Sequence, residues 1–214
     1  MTTIFRKKKK CALCGHEREC YEVASTNSFG PMDLDTRPPE MQRSTINHWV
    51  QMCEKCGYSN TYVDELIPGI GPDDLKTEEY EAILNDSGIN KLPKAFLLAG
   101  HLYSKINDFK IARTMYLHAA WAFDDLKKSN LAKQARNKAI ESIGKCLTDS
   151  DNVNIAVVSV DLNRRSGRFE EAEEIANRLI GNGAEDFLKK VLEFQIELCR
   201  NKDDKRHTVG EVEE

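Results

Sequence analysis

Two pairs of cysteines carry the clearest chemistry in this sequence. Cys11 and Cys14, and again Cys53 and Cys56, are separated by two residues and followed at once by a glycine, Gly15 and Gly57. That spacing lets both thiolates of a tight turn point into one small volume, and the glycine supplies the positive φ on which such a turn ends. Two turns deliver four soft sulfur donors, the set that a tetrahedral zinc takes. Four thiolates fill the shell and leave no place for a catalytic water, so zinc here is expected to be structural. Two other readings stay open. The cysteines can be ordinary buried residues, or two redox sites, although no βαβ pattern accompanies them. His16, Cys20 and His48 are near enough in sequence to substitute as ligands, but Cys20 reads rather as a small core residue of a strand.

Other residues with chemical potential are sparse. No glycine-rich phosphate loop, nucleophile elbow or His-Glu-x-x-His occurs, and the five histidines are scattered, so an enzyme is not expected. Asp33 and Asp35 invite a magnesium reading, yet carboxylates two apart in a loop more often form turns and caps. Arg6 to Lys10 is a run of five cations, either a phosphate-contacting arm or a solvated, partly disordered terminus. The net charge of −4 argues against wholesale nucleic-acid binding. Cys146 and Cys199 lie far from the paired spacing and are expected to be inert.

The elements that must position these residues follow from pattern. At 214 residues, 40% hydrophobic and 31% charged, the chain is long enough for one large domain or two small ones and ordinary enough to fold. No apolar run approaches a membrane span, no secretory leader opens the chain, and unpaired metal-type cysteines suit a reducing cytoplasm. The expected fold class is α+β: a small β-rich zinc ribbon over 1–66, a linker and short helix over 67–92, an all-α domain over 93–200 and a disordered acidic tail over 201–214. Strands are expected at Cys20–Ser25 and Ile46–Met52, with Trp49 as core anchor of the small domain. Between them, Gly30-Pro31 and Pro38-Pro39 mark a long irregular loop. Asp73-Asp74 can cap a helix running to Asn85. All six prolines lie at or before Pro93. The proline-free remainder holds six helical patterns: Pro93 to Ile106; Phe109 to Phe123; Ala132 to Leu147; Asp151 or Asn152 to Arg165, apolar nearly all round; Phe169 to Leu179; and Phe187 to Leu198.

The helical part repeats itself. Asn107-Asp108-Phe109 and Ser166-Gly167-Arg168-Phe169 are both short turns with an alanine (Ala112, Ala172) three residues beyond the phenylalanine. Phe96, Gly100, Tyr103, Ala112, Tyr116 and Ala119 fall where the packing residues of a tetratricopeptide repeat fall, and that unit resembles the repeat, departing from it at Asp124, where proline is usual. The second unit keeps only its turn and Ala172. The chain as a whole is similar to an uncharacterised bacterial family that joins a Cys-x-x-Cys-Gly ribbon half to tetratricopeptide-like helices. The resemblance is carried by Cys11, Cys14, Gly15, the Asp33-Leu34-Asp35-Thr36-Arg37-Pro38 loop, Trp49, Cys53, Cys56, Gly57, Tyr58 and Arg164-Arg165-Ser166-Gly167. It implies that architecture and a bacterial source, and no activity.

A closed zinc shell beside helical repeats points to a protein- or peptide-binding adaptor; a nucleic-acid-associated ribbon protein and a redox or zinc sensor are the alternatives. In a repeat array the first helix of each pair lines the concave surface. Threading on the matched residues places Lys94, Leu97, His101, Ser104 and Lys105 there, with Asn154, Val157, Arg164 and Arg165 from the second unit. Such a basic groove suits carboxylates of acidic C-terminal segments, and the chain's own Gly210–Glu214 is expected to be able to plug it.

Overall fold

The computed structural model describes residues 1–146 and 153–212. The fold is α+β. Strands β1 (Thr3–Lys10) and β2 (Glu17–Ser25) form one antiparallel hairpin; β3 (Gln51–Met52) and β4 (Ser59–Asn60) form a second, much shorter one. Helices α1 (Glu78–Asn85), α2 (Lys91–Lys105), α3 (Phe109–Asp125), α4 (Ser129–Cys146), α5 (Val153–Arg165), α6 (Phe169–Gly181) and α7 (Asp186–Arg200) follow. The Leu147, Asp151 and Asn152 ends expected for α4 and α5 lie outside the described residues. No described helix is long and apolar enough to cross a membrane.

The basic run is neither a free arm nor a frayed end. It is β1, paired so that Lys7 opposes Cys20 and Lys9 opposes Arg18. Acidic residues of β2 neutralise it: Arg6 pairs with Glu19, Lys10 reaches Glu17 at 3.2 Å, and Lys7 reaches Glu22 at 2.5 Å. Lys9 is buried between Glu22 and Asp64. Burial works against its charge, but hydrogen bonds to Asp64 and Glu22 prevail and hold its pKa above the ordinary lysine value.

The helices form because each carries an apolar stripe at helical spacing, and they stop at a repeated device. At Asn107, Lys127, Gly167 and Lys202 the chain turns through positive φ. In each case the next residue's N–H reaches back to the carbonyl five positions earlier, as in Asp108 to Tyr103 and Arg168 to Asn163. This satisfies the last carbonyls of α2, α3, α5 and α7 and turns the chain sharply. The two turns matched in the sequence share this geometry. Close approach of α2 to α3 depends on Gly100, where an added Cβ would lie 2.7 Å from the Tyr116 ring.

Three apolar clusters run through the described residues. One holds Ile46 and Val50 together with α2, α3 and α4. Another holds Cys11, Cys20 and Cys53 together with Tyr80 of α1 and Leu98 and Leu102 of α2. The last packs α5, α6 and α7 around Leu34.

Three expectations need correction. Ile46–Met52 is not a strand: Arg43–His48 is a 3-10 helix, and only Gln51–Met52 pairs. Trp49 anchors no ribbon core; it packs on the helical cluster, with its ring centroid 5.0 Å from His118 and 6.4 Å from Trp121. The tail is not disordered through residue 212. Leu34 N–H donates to the His207 carbonyl, Val209 N–H donates to the Met32 carbonyl, and Arg164 Nη1 donates to the carbonyls of Asp203 and Lys205. Gly210 sits so close to Pro31 that a Cβ would lie 2.8 Å from the ring. Glu213 and Glu214 lie outside the described residues.

Candidate metal centre

Each cysteine pair sits in the turn that joins two strands of one hairpin. The two turns have the same hydrogen bonds: Cys11 N–H to His16 O and Gly15 N–H to Cys11 O in one, Cys53 N–H to Tyr58 O and Gly57 N–H to Cys53 O in the other. Gly15 and Gly57 both adopt positive φ, 67° and 79°. At Gly57 an added Cβ would also lie 2.8 Å from Leu84 of α1, so this turn is seated directly on the helical part. Tyr80 fixes it there, its hydroxyl donating to the Gly57 carbonyl at 2.9 Å.

The turns face each other. Cys11 Sγ lies 3.7 Å from Cys56 Sγ and Cys14 Sγ lies 3.6 Å from Cys53 Sγ, and all four sulfurs fall within 4.8 Å of one another. A disulfide would need about 2.05 Å. A tetrahedron with metal–sulfur distances of about 2.3 Å has edges of about 3.8 Å, close to both of these separations. Among the described residues these four form the one cluster of this kind. Burial pushes the Cys11 and Cys56 thiols up, so a metal that binds here must displace protons. Cys20 is buried in the same apolar cluster but outside the sulfur tetrahedron; burial raises its pKa too, as befits an inert thiol. His48 stands beside Tyr21, ring centroids 6.1 Å apart, and His16 serves its turn through its backbone carbonyl.

A second constellation lies in the helical part. Asp35, fully buried, accepts from Trp121 Nε1 at 2.7 Å and from Arg165 Nη1 at 2.9 Å. Arg165 Nη2 goes on to Asp124 at 2.8 Å, and Asp124 also pairs with the fully buried Arg136 of α4. Arg37 grips Asp125 with two parallel bonds of 2.9 and 2.6 Å, and Arg43 holds Asp33 at 2.6 Å. The Asp33–Arg37 loop is thus bound to α3 and α5, with α4 joined through Asp124. These carboxylates are consumed by guanidinium groups, so the arrangement offers no magnesium site. Asp124, Arg136 and Trp121 were missed as members. Two signals pointed to them: Asp124 stands where the repeat has proline, and Arg136 interrupts the stripe Ala132, Ala135, Ala139.

The residues assigned to a groove do not come together on one open face. Lys94 donates to the Leu84 carbonyl, His101 lies edge-on to Tyr80, and Lys105 pairs with Asp74 at 2.6 Å, so the segment over 72–85 covers this side of α2. Leu97 and Val157 are buried, and Ser104 bonds Tyr116. Arg164 and Arg165 are buried and committed, Arg164 to Asp161 at 2.5 Å and to tail carbonyls. Asn154 alone is exposed beside a cleft. The tail does return to Arg164, but through main-chain carbonyls, while Glu211 turns to His207 and Thr208. Searches of protein-family models, of curated proteins and of solved structures find no match for this chain.

Proposed function

We propose that this chain is a zinc-stabilised binding protein, with tetratricopeptide-like helices that present a surface to a protein or peptide partner. The observation that carries the reading is the closed set of four sulfurs, Cys11, Cys14, Cys53 and Cys56, at tetrahedral separations with no histidine or carboxylate among them. All-sulfur tetrahedral sets favour zinc, and a complete thiolate shell leaves it no open position for catalysis. The metal's role is then to fasten the two hairpin turns to each other and, through Gly57, Leu84 and Tyr80, to α1. The helix-turn-helix repeats at Asn107 and Gly167 support the scaffold reading. Pairing of Arg6, Lys7, Lys9 and Lys10 with β2 carboxylates and Asp64 weighs against the nucleic-acid alternative.

Elemental analysis of untagged protein should give one zinc per chain, and Cys53→Ser should lose it while Cys20→Ala keeps it. No zinc in the wild type, or its loss in Cys20→Ala, overturns the metal assignment. Panning a display library of short peptides against the intact protein tests the binding reading; failure to enrich any sequence counts against it.

A further inference from the structure

One cleft among the described residues sets an arginine without an ion pair against an apolar wall and no carboxylate. At other clefts Arg37 and Arg43 are occupied by Asp125 and Asp33, Arg18 by the Met52 carbonyl and Arg200 by Glu173, while Arg168 and Lys202 share their cleft with Glu170, Glu171 and Glu173. The cleft of about 240 Å³ between α3 and α5 is different. Arg113 borders it and has no ion pair among the described residues, and its Nη1 is enclosed without a hydrogen-bond partner. His118 of α3, which lines the same cleft, likewise has an enclosed, unpartnered Nδ1. Burial, reinforced by the charge of Arg37, brings the His118 pKa down to about 4, so the ring is neutral at physiological pH. Leu117, Trp121, Ile155 and Val158 supply an apolar wall. The rim is Thr36, a β-branched residue held at φ 68° by the turn in which its N–H donates to Asp33 O. Such a backbone is strained and clusters at functional sites. Asn154 adds an exposed amide at the mouth.

One unspent cation, a neutral imidazole and an aliphatic wall match a monocarboxylate on an apolar body of about one residue. We propose that this cleft receives the C-terminal residue of a partner peptide, its carboxylate on Arg113 and its aliphatic side chain against Leu117, Ile155 and Val158. The proposal rests on the binding-protein reading above and names the end of the partner that is recognised.

The chain has two tryptophans; Trp121 lines the cleft and Trp49 packs at a tilt against His118, so emission reports occupancy directly. Acetyl-Gly-Gly-Leu with a free carboxylate is titrated against its C-terminal amide and against hexanoate, on wild type and Arg113→Gln. Arg113 has no ion pair to break among the described residues, so the variant is expected to fold, and circular dichroism checks this. Val158→Phe, which fills the wall without touching a charge, is the second variant. The free acid should bind at least tenfold more tightly than the amide, and both variants should lose at least tenfold. Equal binding of acid and amide, or Arg113→Gln as tight as wild type, overturns the proposal. Hexanoate bound as tightly as the peptide acid also overturns it, in favour of a small-molecule site. Peptides enriched by panning that bind Arg113→Gln undiminished leave the binding reading standing and remove this cleft from it; no enriched peptide at all counts against the binding reading itself.

Discussion

Replacing Asp35 with alanine should destabilise the protein far more than any change to its exposed ion pairs. The side chain is fully buried and serves two donors from elements distant in sequence, Trp121 Nε1 and Arg165 Nη1. Its removal strands an indole N–H, which costs about 1–3 kcal/mol, and leaves Arg165, itself buried, with only the Asp124 carboxylate. Removing one partner from a buried pair costs about 3–5 kcal/mol, and the surviving Asp124 contact places the expected loss near the lower end. Asp73→Asn breaks an ion pair whose side chains are 95% and 69% exposed, and should change stability by less than about 1 kcal/mol. Guanidinium denaturation followed by tryptophan emission measures both, with the slope compared to exclude a change in the denatured state. A double-mutant cycle with Arg165→Met should recover part of the loss, since deleting both charges removes the stranded one. Burial alone would raise the Asp35 pKa; the fields of Arg165 and Arg136 and the Trp121 N–H outweigh it and hold it below the usual carboxylate range. A depressed folded pKa gives stability that is present above the unfolded value of about 4 and is lost as pH falls through the folded one. The gap between wild type and Asp35→Asn should therefore narrow on acidification. An Asp35→Ala loss within 1 kcal/mol of Asp73→Asn would refute the reasoning.

Gly100→Ala and Gly144→Ala should have opposite signs although both sit in helices: alanine is favoured by about 1 kcal/mol in a helix, but only Gly100 meets the Tyr116 ring, and overpacking costs about 1–3 kcal/mol. Thermal denaturation reads the signs. Lys127→Gly, at an exposed position with φ 57°, should stabilise by about 0.5–1 kcal/mol; a loss in the same assay would show that the turn is not strained. Stripping the metal should raise hydrogen exchange in α1 and α2 as well as in both hairpins, because Tyr80, Leu98 and Leu102 share the cysteines' apolar cluster, while α6 and α7 keep their protection.

The cysteine pairs and the helices were legible because their information is local. Two residues between thiols set a turn, and an apolar residue every three or four positions sets a helix face, so α2, α3, α6 and α7 lie close to where periodicity put them. The acidic loop was not legible, since Asp35 meets Arg165 at a separation of 130 residues and nothing in either segment names the other. Arg164 and Arg165 were read as a surface because arginines mostly are; their burial depends on carboxylates brought by Asp33–Arg37 and on carbonyls brought by the tail. The basic run was misjudged for a related reason. Five cations in a row look unstructured until the opposing strand supplies Glu17, Glu19 and Glu22.

The same facts bear on how the two halves of the chain depend on each other. Ile46 and Val50 complete the cluster formed by α2, α3 and α4; Leu98 and Leu102 complete the one around the cysteines; Leu34 completes the one among α5, α6 and α7. Each cluster therefore takes residues from before residue 66 and after residue 72, and cutting between them would expose apolar surface on both pieces. A metal held by the four cysteines would act at a different place from the loop. The cysteine turns pack against α1 and α2, where Tyr80 of α1 donates to the Gly57 carbonyl. The Asp33–Arg37 loop reaches past that contact to α3 and α5, and the tail straps it from the far side through Met32 and Leu34. Because the loop carries Thr36 to the rim of the α3–α5 cleft, anything that loosens the Asp35–Arg165 pair should also disturb the cleft. Stability of the buried ion pairs and the shape of the candidate binding surface are, on this geometry, properties of one loop.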